Sequence, residues 1–313
     1  MNMNRIPVWM DCDTGTDDAV ALLLIHASPE LELMGISTVC GNTTQDKAYR
    51  NTRGVIGLMG ATYPVYRGAV KPLLKELKIA TAFHGENGLG NVELPDPETL
   101  PVQDGTAWDA LYTRAKKNPG KLRLVATGPL TNIATAFTLY PDLPGLLHSV
   151  LLMGGSAGAG NVTPAAEFNI YTDPHAADIV FRSGAKLIMF GLDVTLQEML
   201  TESDLDELGA SSTKAGAFVR DCLQCALLGV RRYGLSGVSM HDSCPVMYLI
   251  CPELFDGEMA GVAVETRGTV TCGKTVTDLY SDKQFPFRNA MVMLKVDGKR
   301  FISILKSRIL SIG

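Results

Sequence analysis

The chain carries little charge and gathers none of it into basic runs. Charged residues make up 19% of its 313 positions and sum to −5, and the densest basic pair is Arg231-Arg232. A general surface for nucleic acid or an anionic membrane is therefore not expected. Long apolar runs are missing as well: the longest, AVALLLIHA at 19–27, is too short to cross a bilayer. The opening MNMNRIPVWMD lacks the apolar core of a secretory signal, so a cytoplasmic setting is expected. Cysteine is sparse and odd in number, at 12, 40, 222, 225, 244, 251 and 272. Cys222 and Cys225 form a C-x-x-C, but RDCLQCALL reads as one helix face and no second pair completes a zinc site. They read as reduced core thiols. Hydrophobic residues make up 46% of the chain, which is enough for a sizeable core and ordinary for a soluble globular enzyme.

The first two-thirds alternates two patterns. Apolar runs predict strands at Ile6–Asp11, Leu31–Cys40, Lys121–Ala126, Ser149–Met153 and Lys186–Phe190. Between them, helices are predicted from Asp17, over Thr44–Met59, Asp104–Lys117 and Leu130–Leu139, and from Asp173-Pro174. The strands are continuous apolar runs without polar alternation, as in sheets covered on both faces. The fold class expected is α/β, a mostly parallel open sheet flanked by helices. Residues 201–250 read as helical, 258–296 as β, and a last helix closes the chain. With no repeat and no low-complexity linker, residues 1–313 read as one domain with a helical and β region added in the C-terminal third. Ligands in such sheets gather at the carboxyl ends of the strands.

One of those ends is crowded with like charge. WMDCDTGTDDAVA at 9–21 places Asp11, Asp13, Asp17 and Asp18 within eight positions. Oxygen-only donors suit a hard cation, Ca²⁺ or Mg²⁺. Helix capping and an acidic first turn would account for one or two of the four. Metal binding or catalysis accounts better for the whole set.

Two other motifs compete. Gly154-Gly155-Ser156-Ala157-Gly158 fits G-x-S-x-G, with His241 and Asp193 as conceivable triad partners. A nucleophile elbow must run straight into a helix, and AGAGNVTP cannot start one. Gly268 to Thr275 fits G-x-x-x-x-G-K-[ST] letter for letter. A phosphate loop needs a helix after it, whereas VTDLYSD is a poor one, so a hairpin is expected there instead.

The ordered set of motifs resembles the inosine–uridine-preferring nucleoside hydrolase family. The matches are Asp11-Cys12-Asp13-x-Gly15-x-Asp17-Asp18-Ala19, Gly41-Asn42, His84-Gly85-Glu86, and Thr127-Gly128-x-Leu130-Thr131-Asn132-Ile133-Ala134. They continue through Met153-Gly154-Gly155, Asn161, Glu167-Phe168-Asn169-Ile170, Asp173-Pro174, Gly191-Leu192-Asp193 and His241-Asp242, over nearly the whole chain. The resemblance implies a Rossmann-like nucleoside hydrolase fold and hydrolysis of the ribonucleoside N-glycosidic bond with bound Ca²⁺. It also implies a role in nucleoside salvage, a small-molecule nucleoside as partner and a homodimer or homotetramer.

The roles follow by resemblance, position by position. Asp13, Asp18, the Thr127 carbonyl and Asp242 would hold calcium, and Asp13 would also take a proton from the attacking water. Asp17, Asn42, Asn169 and Asp242 would grip the ribose 2′- and 3′-hydroxyls. Asn161 and Glu167 would hold the 5′-hydroxyl, and Phe168, flanked by Glu167 and Asn169, would also contact the substrate. His84 and His241 would lie beside the base, with His241 the better candidate to protonate it. Tyr233, in the variable segment LGVRRYGLSG, would reach the base. The residues alone leave Asp242 open as a cap for a helix beginning near Ser243. Asp193 reads as structural, Asp173 as an N-cap, and Asp11 as a group that positions its neighbours. This chain has Thr14 where many members have Pro, which removes no ligand. Neither Trp9 nor Trp108 is placed to stack on a base, which weakens the match to purine-specific members. The presence of both histidines points to broad or pyrimidine-tolerant specificity.

Overall fold

A computed structural model describes residues 5–97, 100–232, 234–280 and 284–313. Its strands are β1 (Ile6–Cys12), β2 (Leu31–Thr38), β3 (Val65–Arg67), β4 (Arg123–Ala126), β5 (Ser149–Met153) and β6 (Leu187–Phe190). After these come β7 (Leu200–Thr201), β8 (Gly237–Val238), β9 (Phe255–Val264), β10 (Thr275–Asp278) and β11 (Ala290–Val296). Nine of these form one sheet in the order β10-β9-β11-β6-β5-β4-β1-β2-β3, while β7 and β8 pair separately. From β3 across to β11 every pairing is parallel; β9 alone runs against its neighbours.

Side chains of the central strands point alternately to two apolar layers. Val8, Met10 and Cys12 of β1 join one layer, with Val125, Leu151, Ile188 and Phe190. Trp9 joins the other, with Leu124, Ala126, Val150, Leu152 and Met189. Helices Thr16–His26, Lys214–Arg231, Ser243–Ile250 and Gly298–Leu310 cover the first face, and Ala107–Lys117, Thr131–Leu139 and Pro174–Phe181 the second. A sheet covered on both faces is what continuous apolar strands require.

The helix Thr16–His26 is the most enclosed. Every residue from Thr16 to Ile25 is buried, because its apolar stretch is packed all round. Asp17 and Asp18, in its first turn, are carried into the interior with it.

The predicted β segment of the C-terminal third does not stand apart. β11 pairs in parallel with β6, and β9 and β10 continue the sheet to its edge. The predicted helix from Asp104 starts at Ala107 instead, since the Thr106 hydroxyl accepts the Asp109 N–H and so caps it there. Asp173 is an N-cap as expected, accepting from the Ala176 N–H at 3.1 Å. The seven cysteines are free, Cys222 buried and Cys225 half-buried. Among the described residues no helix is long and apolar enough to cross a membrane.

Candidate functional site

The chain leaves β1 for β2 and β3 on one side, then returns to β4 on the other. Between β1 and β4 the strand order reverses, and a crevice opens there at the carboxyl ends. Asp13 follows β1, Gly41-Asn42 follow β2, and Thr127 follows β4. His241-Asp242 arrive just after β8, at the start of helix Ser243–Ile250. Residues far apart in sequence thus meet at one rim.

Five aspartates are enclosed there: Asp11, Asp13 and Asp18 are 0% exposed, Asp242 2% and Asp17 8%. Burial pushes the carboxyls of Asp13 and Asp242 well up, helped by the charges of Asp18 and Asp17 respectively. Asp17 and Asp18 are also raised, chiefly by burial. The carboxyls of Asp17 and Asp242 lie close together, and the charge of Asp17 helps to raise Asp242, so a shared proton or a cation between them is favoured over two bare charges.

Oxygens of Asp17, Asp18 and Asp242 lie within 4.8 Å of one another. Asp17 Oδ1 and Asp13 Oδ1 are buried without a hydrogen-bond partner. Buried carboxylates with orphaned oxygens, to which no lysine or arginine among the described residues is bonded, fit a hard divalent cation. Of the expected ligands, Asp18 and Asp242 belong to this trio. Asp13 does not, although its charge still acts on Asp242. The Thr127 carbonyl accepts the Asn169 Nδ2 donor at 2.7 Å and retains a second lone pair. Its hydroxyl donates to Asp18 Oδ1 at 2.7 Å.

Capping explains only part of the cluster. Asp18 Oδ2 accepts the Gly15 N–H at 2.8 Å, a first-turn cap. Asp242 precedes its helix but makes no side-chain cap bond, so capping does not account for its place. Asn42 joins the group twice, through its N–H to Asp13 Oδ2 at 2.6 Å and through Nδ2 to Asp18 Oδ2 at 3.2 Å. Gly41 permits this closeness, since a Cβ there would stand 2.0 Å from Asp13 Oδ2.

Asp11 lies below the site. Ser37 Oγ donates to its Oδ2, Asn132 Nδ2 donates to the same oxygen at 2.7 Å, and Trp9 Nε1 donates to Ser37 Oγ at 2.9 Å. Burial lifts its carboxyl to about 7 against those bonds. Its backbone carbonyl accepts the Thr127 N–H at 2.8 Å, tying β1 to the residue after β4.

Both predicted histidines face the aspartates. His84 Nδ1 accepts the Thr16 N–H at 3.2 Å, so its neutral ring carries the proton on Nε2. Burial lowers its pKa to about 4, against the opposing charge of Asp18. Gly15 leaves room for the ring, as a Cβ there would come within 2.6 Å of Nδ1. Burial also lowers the His241 pKa, while the charge of Asp17 raises it. The Thr195 hydroxyl holds His241 Nδ1 at 2.7 Å. Glu198, one turn further, accepts the Met240 N–H at 2.9 Å. The sequence assigns no role to Thr195 or Glu198, because neither lies in a motif whose spacing points at the site.

The expected 5′-hydroxyl group is built more tightly than a bare contact. Glu167 caps helix Phe168–Thr172, accepting from the N–H groups of Asn169, Ile170 and Gly155 at 2.8, 3.1 and 2.8 Å. Oε1 takes only one of these, which leaves it able to accept another. Asn161 Oδ1 accepts the Phe168 N–H at 3.0 Å. Tyr233 lies outside the described residues.

The competing motifs resolve against both suggestions. Ser156 Oγ has no hydrogen-bond partner, so no base is poised to activate it. Lys274 and Thr275 lie at the start of β10 in the hairpin with β9, which denies the phosphate-loop reading its helix. Asp193 is structural, accepting the N–H groups of Ala157 and Gly158.

Comparison with known proteins agrees with this geometry. The family model described as "Inosine-uridine preferring nucleoside hydrolase" matches residues 8–303. A pyrimidine-specific ribonucleoside hydrolase, RihA of Shewanella woodyi, is 41% identical over 96% of each chain. The structure of a plant nucleoside hydrolase, PpNRh1, superposes with a TM-score of 0.91 at 32% identity, covering 98% of this chain and 99% of that one. A purine-preferring ribonucleoside hydrolase from Gardnerella vaginalis superposes equally well, at 34% identity over 98% of each chain. The carboxylate-lined crevice therefore sits on a known scaffold, and the chain belongs to the inosine-uridine preferring nucleoside hydrolase family, hydrolases of the N-glycosyl bond of ribonucleosides.

Proposed function

We propose that this chain hydrolyses pyrimidine ribonucleosides, uridine and cytidine, faster than purine ones, with Ca²⁺ as the cation of the aspartate cluster. The observation that carries the reading is the convergence of Asp17, Asp18 and Asp242 at the rim where Asp13, His84 and His241 also stand. The pyrimidine preference rests on both histidines being present and on relatives near 40% identity that are named for it.

Asp18 and Asp242 would hold the cation, with Asp13 and the Thr127 carbonyl beside them. When bound, it supplies positive charge that orients the sugar diol and the water and relieves the repulsion among the carboxylates. Asp17, Asn42, Asn169 and Asp242 hold the 2′- and 3′-hydroxyls, and Asn161 and Glu167 the 5′-hydroxyl. Asp13 accepts a proton from water as the water oxygen bonds to C1′. The glycosidic C–N bond breaks with its electron pair going to the base, and His241 supplies the proton that neutralises it. Positive charge growing on the ribose in an oxocarbenium-like transition state meets the ring of carboxylates. The charge of Asp17 favours the protonated form of His241 against its burial. Acting on free nucleosides in salvage, the chain would work as one catalytic domain in the cytoplasm, assembled as a homodimer or homotetramer.

A panel of uridine, cytidine, inosine, adenosine and guanosine tests this reading through the free base released. Uridine and cytidine are expected to lead; a purine nucleoside in first place overturns the preference. His241→Ala should slow uridine hydrolysis by about 10²-fold, the lower end of general-acid effects. It should barely affect p-nitrophenyl riboside, whose leaving group needs no proton. Equal losses on both substrates would remove His241 as the acid.

A further inference from the structure

The two motifs that failed as catalytic signatures grip each other. Lys274 Nζ donates to the carbonyls of Ser156 and Ala157 at 2.9 and 3.2 Å and to that of Gly158. The Thr275 hydroxyl accepts the Ser156 N–H and donates to the Ser156 carbonyl, both at 2.8 Å. Asp193 accepts the remaining two N–H groups, from Ala157 at 2.7 Å and Gly158 at 2.9 Å. Every backbone donor and acceptor of these three residues is thus taken by one of three side chains. An ammonium has three N–H donors, and all three are matched by carbonyls here.

Residues 154–167 contain no helix or strand, and an irregular stretch of that length is free to move unless its backbone groups find partners. This stretch runs from the end of β5 to the site. Beside Ser156, the Gly155 N–H donates to Glu167 Oε2. Further on, Asn161 receives the Phe168 N–H. The held segment therefore sits between the two groups assigned to the ribose 5′-hydroxyl.

We propose that Lys274 and Thr275 are positioning residues for substrate binding. From the edge hairpin they fix Ser156–Gly158, and through this segment they place Asn161 and Glu167 for the 5′-hydroxyl. The proposal rests on the reading of Asn161 and Glu167 given above.

Steady-state kinetics on uridine and 5′-deoxyuridine test it, or on inosine and 5′-deoxyinosine if the panel favours inosine. Lys274→Met should lower kcat/KM for the full nucleoside by about tenfold, chiefly through KM, as for one misplaced substrate hydrogen bond. On the 5′-deoxy substrate, where that contact is already absent, the variant should match wild type within about threefold. Thr275→Val should show the same selectivity. Equal losses on both substrates, or no loss on either, would overturn the proposal. A wild type that hydrolyses the two substrates equally well would instead overturn the assignment of Asn161 and Glu167, and the positioning role with it. If Lys274→Met does not fold, Lys274→Gln, which keeps two of the three N–H donors on a shorter side chain without the charge, is expected to give the same selectivity, and its failure to do so overturns the proposal.

Discussion

Asp13→Ala should fold and should hydrolyse uridine about 10³-fold more slowly than wild type, in the range of general-base effects. The expectation of a folded variant comes from the partners of Asp13. Oδ2 accepts one N–H, from Asn42, and Oδ1 accepts none. Truncation leaves the Asn42 N–H unpaired, a loss of about 1–3 kcal/mol. It also removes a buried carboxyl whose ionised form burial and the Asp18 charge disfavour. The two effects oppose each other, so the melting temperature should move little. The catalytic loss has no such offset, because Asp11, the other aspartate with an unpaired oxygen outside the converging trio, lies below the site with its second oxygen held by Ser37 and Asn132. Wild-type turnover in a variant shown to be folded would sink Asp13 as the base.

Removing the cation should have an effect of similar size, and it should reach stability too. Protein stripped by prolonged chelation, with the loss verified by elemental analysis, should lose uridine hydrolysis by at least about 10²-fold and regain it with millimolar Ca²⁺. The stripped protein should also be more stable at pH 5 than at pH 8. Carboxyls with raised folded-state values bind protons more tightly folded than unfolded. Their stabilising contribution is complete below the unfolded value, near 4, and disappears as pH rises through the folded one. For Asp11 that window ends at about 7; Asp13, Asp17, Asp18 and Asp242 shift in the same direction. Calcium competes with those protons. At 100 times its Kd it would add about 2.7 kcal/mol, so the rise in melting temperature should be larger at pH 8 than at pH 5. Retained activity in verifiably metal-free protein, or calcium that leaves the melting temperature unchanged at pH 8, would overturn the assignment.

The sequence made the central strands and the acidic rim legible because both are local. Continuous apolar runs such as SVLLM and LIMF became fully buried strands. Asp13, Asp17 and Asp18 share one strand-to-helix turn, so their proximity needs no tertiary information. Elements of three to five residues, such as Val65–Arg67, Thr81–His84 and Leu192–Thr195, are too short to show a period. The β pattern of 258–296 was visible, but alternation does not name a partner. That β11 would pair with β6, across the intervening helices, is a matter of three-dimensional packing. The cluster itself was readable only in part. Asp17 joins Asp18 and Asp242 in the converging trio where Asp13 was expected, and Asp242 comes from a distant segment that no local pattern places beside the first turn of helix Thr16–His26. Thr195 and Glu198 escaped notice because a hydroxyl and a carboxyl outside any motif look like ordinary helix-end residues until His241 is seen beside them.

The order in which the chain supplies the rim has a bearing on its synthesis. Asp11, Asp13, Asp17 and Asp18 are translated first, and helix Thr16–His26, though it packs on the early Leu31–Thr38 and Gln45–Leu58, is not fully enclosed until Lys214–Arg231 and Ser243–Ile250 exist. The same late segment that closes this layer brings Asp242. A nascent chain therefore cannot trap a cation in a finished cluster before it can bury the helix that carries it. Docking of the late helices and completion of the ion site become one event, so a polypeptide stalled or truncated before Asp242 should be left both unfolded in this layer and inert.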